Sequence, residues 1–340
     1  MTANAGKRLL QHYVDNFRRL PWRSAPGSGH ADPYRVWLSE IMLQQTTVAA
    51  VTPRFDRFLK RWPTIEALAA APEDEILSEW AGLGYYARAR NLAACAREVA
   101  RRGGFPASAE ALRELPGIGR YTSAAIAAIA FGEPVVAVDT NVTRVISRLH
   151  ALRRSTYDRI EALAAGMIPA GHAGDFIQAL MDLGATICRP REPRCADCPL
   201  RDDCVAFASG DPEAFPERTA RKARPLRHGV AWWIERDGQV WLVRRPAKGM
   251  LGGMAALPGT DWTEQPSAAA GPSSFGRVHH VFTHFALDLL VEAASAADGD
   301  GWWHPIDRIE SAGLPTLYRR AADLAIAATE RRRSSSNAAA

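Results

Sequence analysis

The chain has 340 residues, 47% hydrophobic and 23% charged, with a net charge of +5 and a pI near 9.1. These totals exclude a disordered or fibrous protein and suit roughly two globular domains, with a mild lean toward an anionic partner. No apolar run approaches the ~20 residues needed to span a bilayer, and the N-terminus lacks a signal-peptide core, so a cytoplasmic protein with no membrane partner is expected.

The first helix signal of note is Asp32-Pro33, a capping carboxylate followed by a proline suited to the first helical position. From there Trp37, Ile41, Val48, Val51, Phe55 and Phe58 recur at helical spacing as one buried stripe. Glu40 lies off the centre of that stripe, with Val36 and Leu43 as helical neighbours. From this stretch alone a solvated surface glutamate is the favoured reading; desolvated, it would hold a proton near neutrality. The alanine-heavy stretch 62–104 reads as two or more helices broken by Pro and Gly. Next, Pro116-Gly117-Ile118-Gly119 makes a tight turn before an alanine-rich helix expected from Arg120 to Phe131. Gly117 and Gly119 allow its amides to face outward at a helix start, where they suit a phosphate and read no sequence. Asp139 follows the apolar run "PVVAV" and precedes Asn141 and a new helix, which suits an N-cap.

Cys188, Cys195, Cys198 and Cys204 follow, spaced C-x6-C-x2-C-x5-C. Four thiols on so short a loop point to a shared metal centre. Zinc and an iron–sulfur cluster both remain open on spacing, although only Cys195 and Cys198 form the short chelating pair usual for zinc. Arg189, Arg191, Arg194, Arg201 and Arg218 offer the loop a basic face. Cys95 reads as a small buried apolar residue.

Residues 7–214 therefore form an all-α domain. The stretch 215–228 reads as a basic linker, with Arg218, Arg221, Lys222, Arg224 and Arg227 against Glu217. Residues 229–330 read as an α+β domain. "VAWWIERDGQVWLVRR" is a hairpin around Asp237-Gly238, "HHVFTHFALDLLVEA" alternates like one further strand, and a helix starts near Pro315-Thr316. Residues 292–300 suit a surface loop and 331–340 a disordered tail.

The hairpin with its alanine helix, Asp139 about twenty residues beyond Gly119, and the cysteine loop together resemble the endonuclease III superfamily of helix-hairpin-helix DNA glycosylases, over residues 7–205. Within it, "SEIMLQQT" and "GLGYYARARNL" resemble the adenine-glycosylase (MutY) branch, whose Nudix-like domain residues 229–330 would supply. The resemblance implies a [4Fe-4S] cluster on the four cysteines and a double-stranded DNA partner carrying adenine opposite 8-oxoguanine or guanine, bound by a monomer. It implies Glu40 as proton donor, Asp139 as ionised partner, and Tyr121 and Asn141 beside them. It further implies a base pocket of Trp22, Arg23, Leu43 and Asp182, with Gln45 wedged into the stack. Leu83, Gly84, Tyr85, Thr283 and His284 would meet the lesion, and Gly117 and Gly119 the backbone.

Lyase members of the superfamily carry a lysine directly after the hairpin. Here Gly119-Arg120-Tyr121 stands instead, and a phenol forms no imine, which implies a monofunctional enzyme. The Nudix hydrolase motif is also missing, since "TDWTEQPSAAAGPSS" holds one glutamate, Glu264. A lyase for oxidised pyrimidines and a non-catalytic DNA-binding homologue are the alternatives.

Overall fold

The chain opens with helix α1 (Thr2–Asn16), and Asp32-Pro33 then starts α2 (Pro33–Leu43) as their pairing predicts. The Asp32 carboxylate accepts from the Tyr34 amide at 2.9 Å, and the proline sits in the first turn. This is a computed structural model, describing residues 2–217, 223–246, 249–266, 271 and 273–337.

The apolar stripe does not lie on one helix. α2 ends at Leu43, a turn follows with Gln45 at φ 56°, and Thr47 caps α3 (Val48–Arg61) by accepting from the Ala50 amide. A hydroxyl cap placed before a β-branched valine competes with helix continuation. Trp37, Val51, Phe55 and Phe58 are buried all the same. The break leaves Gln45 exposed on the turn.

Short helices α4 (Ile65–Ala70) and α5 (Glu73–Glu79) lead to α6 (Tyr86–Arg102) and α7 (Ala109–Leu112). The Pro-Gly-Ile-Gly turn then opens α8 (Arg120–Phe131), with the bounds its alanine run predicts. Gly117 has φ 74°, and a Cβ there would lie 2.6 Å from the Asn91 Cβ, so both backbone conformation and space require glycine. After it come α9 (Thr140–Leu149), α10 (Tyr157–Ala165), α11 (Ala173–Thr186) and α12 (Val205–Ala208). α1, α8, α9, α10 and α11 share one core that includes Leu9, Tyr13, Ile146, Phe176 and Leu180.

The β-rich part holds β1 (Leu226–Trp233), β2 (Glu235–Arg236), β3 (Gln239–Arg244), β4 (Ala255–Ala256), β5 (Ser274–Val281), β6 (Ala286–Ala293) and β7 (Gly301–Pro305), closed by helix α13 (Thr316–Asn337). One sheet runs β1-β6-β5 with β1 parallel to β6; the other joins β2, β3 and β4, with β7 on β3.

Three expectations change here. The hairpin at Asp237-Gly238 has a first arm of only two residues, because β1 pairs with β6 instead. The run "HHVFTHFALDLLVEA" supplies parts of two antiparallel strands, joined by a tight turn in which the Phe282 amide donates to the Phe285 carbonyl at 2.8 Å. Local alternation marks strand character but leaves pairing to distant residues. Third, α13 continues to Asn337, so most of the expected tail is helical.

Two compact units result: Met1–Pro72 with Arg90–Ala220, and Glu73–Ala89 with Arg221–Ala340. Residues 73–89, read from sequence as part of the first domain, group with the second. β1 begins inside the expected linker, whose residues 218–222 lie outside the described residues. Among the described residues, no helix is long and apolar enough to cross a membrane.

Candidate active site

The helical unit holds a cavity of about 230 Å³ lined by Trp22, Arg23, Glu40, Leu43, Tyr121, Asp139, Asn141 and Asp182. These residues come from the loop before α2 and from four helices or their caps. Glu40 is 8% exposed. Burial pushes its carboxyl up to about 7; the Tyr121 hydroxyl and the Arg23 guanidinium pull it down, and Asp139 adds to the rise. Burial, with the Glu40 and Asp139 carboxylates, holds the Tyr121 phenol well above its ordinary value, so it is a neutral donor.

Asp139 is the N-cap of α9. Its Oδ1 accepts from the Val142 amide at 2.7 Å, and its Oδ2 accepts from Asn141 Nδ2 at 2.9 Å. Asn141 is held in turn by Arg144, whose Nη2 donates to Asn141 Oδ1 at 2.8 Å and to the Gly184 carbonyl at 2.7 Å. The Arg144 Nε donates to the Cys188 carbonyl at 2.7 Å, so hydrogen bonds run from Asp139 to the cysteine loop. On the wall formed by α11, Arg23 grips Asp182 with both arms, at 2.5 and 3.0 Å.

The cysteine loop needs its own test. Cys188, Cys198 and Cys204 pack against the helical core beside Leu200, which is 2% exposed. Burial pushes the Cys198 thiol up to about 12, with Cys188, Cys204 and Cys195 adding to the rise. Four sulfurs thus lie in one another's field, an arrangement that a bound cationic centre relieves. Arg148 Nη1 donates toward Cys188 Sγ at 3.4 Å. Among the described residues, no three Cys, His, Asp or Glu groups meet the closeness expected for a single bound ion. An all-cysteine donor set on a wide loop fits an iron–sulfur cluster.

Comparison with known proteins places the chain in a family. Residues 38–170 match the HhH-GPD superfamily of base excision DNA repair proteins, and residues 229–324 match the NUDIX domain. The adenine DNA glycosylase of Mycolicibacterium smegmatis is 43% identical, over 64% of this chain and 76% of the relative. That of Mus musculus is 32% identical over 92% of this chain and 76% of the relative. The chain belongs to the adenine DNA glycosylase family. It spans 65% of the Homo sapiens family member, at 34% identity, and 56% of the Arabidopsis thaliana one, at 38%. Among solved structures, a thermostable thymine-DNA glycosylase superposes with a TM-score of 0.55 at 32% identity, covering 60% of this chain and 95% of that one. A trapped endonuclease III–DNA covalent intermediate gives 0.51 at 25%, covering 61% and 95%.

The other residues singled out from the sequence fall into separate groups. Gln45 is exposed on the turn after α2. Gly117 and Gly119 form the turn before α8, with Gly119 its N-cap and no side chain over its amides. In the β-rich unit, Leu83 is buried at 5% exposed, with its amide donating to the Trp80 carbonyl at 3.1 Å and its carbonyl accepting from Arg88 at 3.0 Å. Gly84 and Tyr85 both take positive φ, and the Gly84 carbonyl accepts from the Trp80 indole at 2.9 Å. Tyr85 is 47% exposed, and its hydroxyl lies 2.6 Å from the Thr283 hydroxyl. His284 is exposed beside it in sequence. Phe282 stacks on Trp262 at 5.5 Å and fixes the base of that turn.

Reading the adenine glycosylase family onto the sequence missed several lining residues, the polar Arg18, Ser39 and Gln178 and the thioether of Met181 among them. Gln178 stands one helical turn before both Met181 and Asp182, a spacing that could have found it. Arg144 was missed too, though it stands three residues after Asn141 on the same helix.

Proposed function

We propose that this protein is a monofunctional, monomeric DNA glycosylase of the cytoplasm that hydrolyses the N-glycosidic bond of adenine mispaired with 8-oxoguanine or guanine in double-stranded DNA. The observation that carries the reading is Glu40, buried and raised to about 7, in a cavity with Asp139. Two carboxyls in different environments are the recurring equipment for cleaving a glycosidic bond.

Adenine must leave the duplex to reach this cavity. Gln45 on its exposed turn would fill the stack, and the amides at Gly117 and Gly119 would hold a phosphate. Adenine leaves poorly as an anion, so Glu40 gives its proton to N7 and then accepts one from the attacking water. Asp139 stabilises the cationic sugar, held in place by Asn141 and the Val142 amide. Tyr121 donates toward Glu40 and forms no imine, so the strand stays intact. Cys188, Cys195, Cys198 and Cys204 would hold a [4Fe-4S] cluster, which when bound crosslinks the 188–204 loop. The paired hydroxyls of Tyr85 and Thr283, with His284, would read the 8-oxoguanine side.

A single-turnover assay on a duplex with adenine opposite 8-oxoguanine tests this, each time point divided between quenching with and without alkali. Breaks only after alkali are expected. Breaks without alkali would mean a lyase; tight binding with no product would mean a binding protein. Arg144→Leu removes the donor to two part-buried carbonyls and to Asn141, at about 1 kcal/mol for each group left without its partner. Adenine release should slow about tenfold or more, with a lower melting temperature.

A further inference from the structure

The pairing of Arg23 with Asp182 goes further than a shared pocket wall. Both side chains are nearly buried, at 8% and 11% exposed, and both arms of the guanidinium engage both carboxylate oxygens. Arg18 adds a third contact at 3.4 Å. An aspartate on α11 is short, and its two oxygens already face the guanidinium fork. An adenine amino group would have to compete with a charged bidentate donor for them.

We propose that Asp182 is a positioning residue whose pairing with Arg23 keeps that guanidinium from drawing Glu40 into its ionised form. The inference rests on adenine excision as the activity.

Glu40 faces Tyr121 from α8, Arg23 from the loop before α2, and Asp139 from the start of α9. The ion pair faces Arg18, and from α1 the buried Tyr13, whose hydroxyl has no hydrogen-bond partner among the described residues. Asp175 on α11 and the pair's own two charges act on that hydroxyl. Removing the Asp182 charge leaves Arg23 as an uncompensated cation in a cavity that screens it poorly. A free cation favours the ionised carboxylate, so Glu40 would lose its proton at lower pH. Removing Arg23 has the opposite sign, because Glu40 then loses the cation while the unpaired Asp182 charge remains.

Single-turnover adenine release would be followed from about pH 5 to 9 for the wild type, Asp182→Asn and Arg23→Gln. Affinity would be measured on a duplex carrying a non-hydrolysable 2′-fluoro-adenosine. For Asp182→Asn the descending limb should move down by about one pH unit. For Arg23→Gln the limb should move up. Opposite displacements support the inference. Two unmoved midpoints, with rates lowered evenly at every pH, would overturn it and give Asp182 direct contact with the base. If Asp182→Asn no longer binds the duplex, the direction of the Arg23→Gln limb decides alone, an unmoved or lowered midpoint overturning the inference. A wild type that releases no adenine at any pH would instead sink the proposed activity.

Discussion

Replacing Glu40 by glutamine is expected to slow single-turnover adenine release by about 10²–10⁴-fold while leaving binding to the mispaired duplex intact. The amide matches the carboxyl in size and keeps the contact with Tyr121, but it has no proton to give to N7. A loss below about tenfold, measured at saturating enzyme, would remove Glu40 from the role of proton donor.

Two pH effects follow from the same residue. With the protonated form as the proton donor, wild-type release should be full well below pH 7 and fall as pH rises through it. Stability has the same sign. A carboxyl whose pKa is raised from 4.5 to about 7 on folding binds more protons in the folded state, so its contribution declines as pH rises through that window. Glu40→Gln should therefore melt higher than wild type at about pH 8, by a free energy on the order of 2 kcal/mol, with the gap closing toward pH 5. On the proposed mechanism, the buried acid that costs stability is also the proton donor.

Cys198→Ser should purify with little iron or acid-labile sulfide and melt about 5–10 °C lower, since a hydroxyl is a poor ligand for soft iron. The loop from Cys188 to Cys204 contains only two short 3₁₀ turns and leans on the core through Leu200 and the Arg8–Asp203 ion pair. Its carbonyl at Cys188 also holds Arg144, and through Asn141 reaches Asp139. Loss of the ligand should thus slow adenine release as well as lower the melting point. Zinc without sulfide in the wild type, found by elemental analysis, would overturn the cluster reading.

The helical part was legible at close range. Asp32-Pro33, the Pro-Gly-Ile-Gly turn and the alanine run to Phe131 each encode their geometry within a few residues, and the structure keeps those boundaries. The break at Gln44–Thr47 was not legible, because apolar spacing continued across it and a hydroxyl cap outweighed it. Strand pairing was harder still. β1 meets β6 across some sixty residues, and alternation says which face is buried, not which strand lies alongside.

For the site, the sequence by itself determined which chemical groups are present: two carboxyls, a phenol in place of a lysine, and four thiols on one loop. Only the tertiary structure decided their state. Glu40 is an acid near neutrality because α2 and α8 close over it and remove water; the same residue on a bare helix would be a surface carboxylate. Asp182 reads as a base contact in sequence, yet lies under the fork of Arg23, a residue 159 positions away. Charge and proton affinity depend on distance in space and on exclusion of water, and neither is a local property of the chain.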